Sequence, residues 1–266
     1  MNKLREISFQ ALNKEVQDID QSNRMWDKRA KDFAKTNHKT LHNYLEVMKE
    51  KVDIRGEKIL DIGCGTGRYL KLLLDEGAKA EGLEPSKGMV DQAKIYLKES
   101  GYQEDFMIHE LPLQEFRPRE AYDYVFISNN PVIGYYSNYK KILSLAKKGV
   151  LVGSWLNSYD SLFESISQEL GVKGGGHGGK NLLYLFNLLV GDGYQVSFDM
   201  LRSCSSQKEF VDESISRYVS WLYGSEYSKD DFAKIQSLVD QRKDENGKIL
   251  IHRSARSGVL YINLKK

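Results

Sequence analysis

Apolar positions through the middle of the chain fall into short runs separated by helical stripes, and that alternation predicts an α/β fold. Ile59, Leu60 and Ile62 form one such run, of the kind that makes a strand buried on both faces. Strands are predicted over 58–63, 80–84, 105–109, 122–128 and 149–155, with helices over 66–76, 86–99 and 137–147 between most of them. Met89, Ala93 and Leu97 supply the apolar stripe of the second helix, and Ser86, following Pro85, is placed as its N-cap. Strands alternating with helices imply βαβ units and a doubly wound, mainly parallel sheet, which binds ligands at the carboxyl ends of its strands.

The flanks read differently. Leu4, Ile7, Leu12, Val16 and Ile19 are loosely spaced as on a helix. Trp26, Ala30 and Phe33 share one helical stripe, and Leu41, Tyr44, Leu45 and Met48 another. Residues 1–51 are therefore expected to form an N-terminal helical cap, with the core over 52–266. After Trp155 the pattern predicts a helix over 158–170, a glycine-rich loop, a helix over 181–190 and a strand over 195–202. Helices over 207–223 and 228–243 and a strand over 257–264 close the chain.

Composition narrows the classes. The chain of 266 residues suits one domain with a cap or an insertion, and 41% hydrophobic content supports a full core. A formal charge of +2 demands neither nucleic acid nor an anionic membrane. Cys64 and Cys204 are the only cysteines, with no CxxC pair, so neither a disulfide framework nor a zinc site is expected. The first residues lack the apolar core of a signal peptide, and the run Leu182 to Val190 is too short to span a bilayer. A reducing, cytoplasmic setting is the expectation.

Candidate chemistry centres on Asp61-Ile62-Gly63-Cys64-Gly65-Thr66-Gly67. Glycines between a strand and a helix let backbone approach a ligand closely, with helix N–H groups facing it. The spacing is G-x-G-x-G rather than the G-x-G-x-x-G of dinucleotide sites, since Arg68 stands at the later position. A second acid, Glu84, ends the next apolar run. This constellation, over roughly Trp26 to Trp155, resembles the class I methyltransferases that depend on S-adenosylmethionine (SAM).

The resemblance implies a Rossmann-like fold of seven strands, ending in an antiparallel hairpin. About 50 residues separate the last two predicted strands, which implies a helical lid at about 204–248. It also implies that Gly63, Cys64, Gly65 and Gly67 line the methionine part of SAM, where side chains would block contact. Asp61 then acts near the ligand's amino group, and Glu84 accepts from the ribose hydroxyls. Pro85, Ser86 and Met89 follow on the adenine side, although core packing explains Met89 as well, with Glu110 and Leu111 after the third strand, while His109 reads as an ordinary hydrogen-bonded strand-end histidine. Trp26 and Arg29 fit a Trp-x-x-Arg-Ala pattern in segments that close over SAM, although amphipathic packing explains them as well.

The fourth strand empties into Ser128-Asn129-Asn130-Pro131, beside the position of the transferable methyl in related enzymes. Asn129 and Asn130 are candidates to orient a nucleophile, or simply to form the turn. Asn130-Pro131-Val132-Ile133 lacks the second proline and the aromatic of the Asn-Pro-Pro-Tyr motif found in amino-group methyltransferases. Tyr135, Tyr136 and Tyr139 either wall a pocket or pack on the rim. Gly174 to Asn181 fits G-x-x-x-x-G-K, but Asn181 stands where magnesium binding needs Ser or Thr, so nucleotide hydrolysis is rejected. His177, in the same loop, is a candidate base.

The expected function is methyl transfer from SAM to a small-molecule acceptor, leaving S-adenosylhomocysteine. Alternatives are an RNA or protein methyltransferase, which a basic stripe on the lid would favour and the sequence does not display, or a SAM-binding regulator without transfer. No metal, membrane or nucleic-acid partner is expected, and a homodimer is the assembly the reading allows.

Overall fold

The computed structural model describes residues 3–14, 19–35, 43–103, 106–172, 179–224 and 227–265. Before the sheet come α1 (Lys3–Leu12), α2 (Ile19–Ala34) and α3 (Tyr44–Lys49). The alternating region supplies β1 (Lys58–Ile62), α4 (Arg68–Asp75), β2 (Lys79–Leu83), α5 (Lys87–Glu99), β3 (Met107–His109), β4 (Tyr122–Ser128), α6 (Tyr136–Ser144) and β5 (Ala146–Asp160). Then follow α7 (Ser161–Leu170), α8 (Lys180–Gly191), β6 (Gln195–Glu209), α9 (Ile215–Tyr223), α10 (Lys229–Asp240) and β7 (Ile249–Asn263). A short 3₁₀ turn, Pro131–Gly134, separates β4 from α6.

The strands form one seven-stranded sheet in the order β3-β2-β1-β4-β5-β7-β6, and the first five pair in parallel. The chain leaves β1 for β2 on one side and returns to β4 on the other, so the order reverses beside β1. That reversal opens a crevice at the carboxyl ends of β1 and β4, where ligands of doubly wound sheets bind. β1 reads as expected for a central strand: Ile59, Leu60 and Ile62 are buried, as are Val125, Phe126 and Ile127 on β4. The apolar stripe of α5 is also as predicted, with Met89, Val90, Ala93 and Leu97 buried.

The last two strands run antiparallel. Asn263 Nδ2 donates to Gln195 Oε1 at 3.1 Å and Ser206 Oγ meets His252 Nδ1 at 2.8 Å, two links that give β6 and β7 opposite directions. All three late strands are longer than the sequence pattern suggests. β5 runs to Asp160, so the helix expected from 158 starts at Ser161; β6 runs to Glu209, so the helix expected from 207 starts at Ile215. β7 begins at Ile249 rather than 257. The missed parts have one open face, and strands exposed on one side carry polar residues that a search for apolar runs passes over.

The chain divides into two compact units. The first comprises Met1–Ser154, Gly179–Leu201 and Ser257–Lys266. Its core joins Leu45 and Met48 of α3, Leu70 and Leu73 of α4, and Phe126 and Leu151 of the sheet. The early helices belong to this unit: α1 packs on α8, α2 on α5 and α3 on α4. Arg5 of α1 pairs with Asp192 at 2.6 Å, while Leu4 and Ile7, expected on the packed side, are exposed.

The second unit comprises Trp155–Gly178 and Arg202–Arg256. Its core joins Leu162 and Ile166 with Ile215, Tyr218 and Val219 of α9, Ile235 and Val239 of α10, and Ile251. Asp160 organises its polar centre, accepting from Arg253 Nε at 2.7 Å, Tyr218 Oη at 3.2 Å and the backbone of Phe163 at 3.0 Å. Among the described residues no helix is long and apolar enough to cross a membrane, and no group of three or more side chains could hold a metal ion.

Candidate functional site at the carboxyl ends of the first and second strands

The parallel register sets Asp61 against Gly82 of β2 and Phe126 of β4, in the middle of the sheet. Its side chain is only 1% exposed, and Oδ2 has no hydrogen-bond partner. Burial pushes the Asp61 carboxyl up to about 8, with repulsion from Glu84 adding to it and Arg68 opposing it. A buried carboxylate oxygen left unpaired is costly unless a donor or cation meets it.

Glu84 follows β2 directly and is 7% exposed. Oε1 accepts from the amide of Ser86 at 2.9 Å, and Oε2 accepts from the amide of Gly65 at 3.1 Å. One acid therefore ties the glycine turn to the loop that opens α5. A carboxylate has about four lone-pair sites, so both oxygens retain room for ligand hydroxyls. Burial pushes Glu84 up to about 7; the two backbone amides pull it down and Asp27 pushes it up.

The glycines of the turn are not equivalent. A Cβ on Gly63 would sit 1.6 Å from Asn130 Nδ2, so Gly63 lets the β4 loop approach the β1 turn. Gly65 has φ +55° and nothing within 4 Å of an added Cβ, an open backbone ledge of the type a ligand can approach. Gly67 is the N-cap of α4. Cys64 packs its thiol into the core, where burial raises it well above its ordinary value, so its backbone is what it can offer.

At the end of β4 the structure brings together Ser128, Asn129 and Asn130. Asn129 has φ 49°, the only non-glycine positive φ among the described residues. Its amide donates to Gly153 O at 2.8 Å, and its Oδ1 accepts from the hydroxyl of Tyr44 at 3.0 Å. Tyr44 Oη lies 3.0 Å from Ser257 Oγ, whose proton it can accept. Burial raises the Tyr44 phenol to about 12, so it stays protonated at neutral pH. Asn130 Oδ1 accepts from Val132 N at 2.9 Å and caps the 3₁₀ turn. Tyr69 joins this group, accepting from Tyr44 N at 3.1 Å and sharing a hydrogen bond with Ser128.

On the other side of Glu84, Ser86 and Met89 are buried; Ser86 Oγ accepts from Met89 N at 3.2 Å as the predicted N-cap. Pro85 is half-buried, and Glu110 and Leu111 are exposed just after β3. His109 Nε2 lies 2.7 Å from Glu81 Oε2, the ordinary strand-end contact expected of it. Trp26 and Arg29 are half-buried on α2, with Trp26 edge-on to Phe33 at 5.3 Å. The polar contact from α2 to the loop comes from their neighbour Asp27, whose Oδ1 accepts from Ser86 Oγ at 2.6 Å and Gly88 N at 2.8 Å. Asp27 carries no signal in the hydrophobic pattern; the only hint was its place inside the Trp-x-x-Arg segment. His177 lies outside the described residues.

These residues fit the charge pattern of SAM, which carries an ammonium and a sulfonium. Asp61 and Glu84 flank the glycine turn, Asp27 lies beyond Glu84 at the start of α5, and the unpaired Oδ2 of Asp61 is suited to a cationic group.

Comparison with known proteins gives the same picture. Residues 59–148 match a family model described as a methyltransferase domain. A ubiquinone biosynthesis O-methyltransferase of Azoarcus is 32% identical over 93 residues, covering 34% of this chain and 37% of that protein. A tRNA U34 carboxymethyltransferase of Shewanella is 36% identical over 76 residues, covering 27% of this chain and 22% of that one. The chain thus spans well under half the length of either relative. Among solved structures, the YcgJ protein of Bacillus subtilis superposes with a TM-score of 0.52 at 14% identity, over 84% of this chain and 99% of that one, which speaks for the fold. Residues 59–148 thus match a methyltransferase domain, and the chain shares its α/β fold with the YcgJ protein.

Proposed function

We propose that the protein transfers a methyl group from SAM to an acceptor held beside the β4 loop. The observation that carries this reading is Asp61, a fully buried carboxylate with an unpaired oxygen beside an open glycine ledge. When bound, SAM supplies a methyl group already activated on a sulfonium, so the protein's part is alignment. In this reading Asp61 binds the ligand's ammonium group, Glu84 its ribose, and the backbone of Gly63, Cys64, Gly65 and Gly67 its amino-acid end. Pro85, Ser86, Met89, Glu110 and Leu111 flank the adenine, with Trp26 and Arg29 on the covering helix. Ser128 belongs with the cofactor-binding residues, and Asn129 and Asn130 orient the acceptor. Tyr44 stays protonated and donates to Asn129, so it holds geometry and does not take a proton. His177 is the proposed base where the acceptor has a proton to lose.

The acceptor proposed first is a small molecule, because helical segments precede the core and interrupt its final hairpin. A second reading, an acceptor in RNA, is supported by an open strand face in the second unit. There Arg202, His252, Arg256 and Tyr159 are exposed on β6, β7 and β5, and neither arginine makes an ion pair among the described residues. Exposed cations beside an aromatic suit a single strand of nucleic acid. Release of S-adenosylhomocysteine from SAM, followed with extracts separated into small-molecule and RNA fractions, tests both. Stimulation by the small-molecule fraction supports the first reading, stimulation by RNA that Arg202→Ala/Arg256→Ala abolishes supports the second, and no release with any fraction contradicts methyl transfer.

A further inference from the structure

Asp27 has no place in the family's glycine turn or strand-end acids, and it lies outside the matched residues 59–148. Its carboxylate nonetheless makes the tightest polar link between α2 and the site. Both donors, Ser86 Oγ at 2.6 Å and Gly88 N at 2.8 Å, converge on the single oxygen Oδ1. Ser86 in turn donates its amide to Glu84 Oε1 at 2.9 Å, and Glu84 reaches Gly65. A continuous chain of contacts therefore runs from α2 through the loop after β2 to the glycine turn.

The approach of α2 is built into the backbone as well. A Cβ on Gly88 would lie 3.0 Å from Cα of Asp27, so α2 seats against the first turn of α5 at a distance that only glycine permits without displacement. Ser86 is fully buried, and its hydroxyl oxygen already caps Met89 N. Its proton needs an acceptor, and Asp27 is the one it has.

We propose that Asp27 is a positioning residue for the cofactor: from α2 it fixes Ser86 and the start of α5, and through Ser86 it holds the Glu84 carboxylate in place. This rests on the reading of Glu84 as the ribose acceptor. Asp27 acts in two separable ways. Its oxygen sets geometry, and its negative charge pushes the titration of Glu84 up; Glu84 in turn raises Asp61, which stays protonated while Glu84 titrates. Cys64 also lies near these acids, but burial keeps its thiol protonated, so it adds no charge.

The two variants Asp27→Ala and Asp27→Asn separate these effects. Calorimetric titration with S-adenosylhomocysteine from pH 5.5 to 8.5 is the readout, with kcat at saturating SAM as a second. Asp27→Ala leaves the Ser86 hydroxyl proton without its acceptor and is expected to weaken binding about 10-fold at pH 8.5, where Glu84 is ionised in both proteins, with kcat changed less than about 2-fold. Asp27→Asn keeps Oδ1 for both donors, so binding at pH 8.5 stays within about 3-fold of the parent. With the charge gone, its acid limb moves to lower pH. A purely structural role would lower thermal stability in both variants and leave affinity and the acid limb unmoved. Parent-like affinity in a folded Asp27→Ala protein overturns the proposal; should that variant not fold, parent-like affinity in Ser86→Ala does so. Glu84→Ala distinguishes the levels: loss of binding there with none in the Asp27 and Ser86 variants defeats this inference alone, whereas unchanged binding in Glu84→Ala defeats the ribose reading beneath it.

Discussion

The hydroxyl of Tyr44 donates to Oδ1 of Asn129 across 3.0 Å, joining the third helix to the one non-glycine residue of the described chain held at positive φ. Left-handed backbone at such a residue costs about 1–2 kcal/mol and persists only where the surroundings hold it. Here Tyr44 on one side and the carbonyl of Gly153 on the other do so. Tyr44→Phe removes one of these holds, the hydroxyl that donates to Oδ1. It should cost about 1–2 kcal/mol in denaturant unfolding. Turnover should fall by more than SAM affinity, because Asn129 faces the acceptor side in the proposed mechanism. A variant with parent-like turnover would show that Asn129 is only a turn residue.

Gly63 and Asn130 should be coupled. An alanine at 63 places its Cβ 1.6 Å from Asn130 Nδ2 and at φ +71°, so two penalties arise together. Gly63→Ala should destabilise by about 3 kcal/mol or more. Removing the obstructing amide with Asn130→Ala in that background should return roughly half of it, leaving the backbone strain. A double-mutant cycle measured by denaturant unfolding checks this. Strict additivity would contradict the close approach of the two loops.

How much of this was legible beforehand depended on burial. The apolar run predicts β4 over 122–128, where it is found, since Val125, Phe126 and Ile127 are buried in the sheet. The extensions of β5, β6 and β7 were not legible, because exposed positions such as Asn157, Cys204 and Ser254 break the apolar run without breaking the strand. Asp61 and Glu84 stood out by position relative to the glycines. The contacts of Glu84 with Ser86 and Gly65 did not, because amide directions follow from turn geometry. Asp27 was invisible for a similar reason: an exposed acid on an amphipathic helix looks like any solvated side chain until its partner, 59 residues away, is known.

The buried acids give the ligand-free protein a characteristic pH response. Asp61 is pushed up to about 8 and Glu84 up to about 7, from ordinary values of 3.8 and 4.5. Between those limits the native state binds protons that the unfolded chain has lost, so these groups lower stability as pH rises from about 4 to about 8. Asp61→Asn removes the larger share. Its Tm should fall less than the parent's from pH 5 to 8 and exceed the parent's at pH 8. Parallel Tm profiles for the two proteins would show that Asp61 does not titrate in this window.

A cationic ligand reverses the preference, favouring the ionised acids. SAM binding should therefore release protons near neutral pH and tighten as pH rises toward 8, seen as a dependence of binding heat on buffer ionisation enthalpy. Binding that weakens steadily over the same range would mean that neither acid meets the ligand's positive charge.

The most direct test of the whole account is calorimetric titration of the purified protein with SAM, S-adenosylhomocysteine and NAD, alongside the Asp61→Ala and Glu84→Ala variants. The account predicts micromolar binding of the two sulfur ligands, none of NAD, and a loss of at least about 10-fold in each variant. Failure of both sulfur ligands to bind the parent protein would contradict it, leaving the glycine turn and the two buried acids as features of the fold alone.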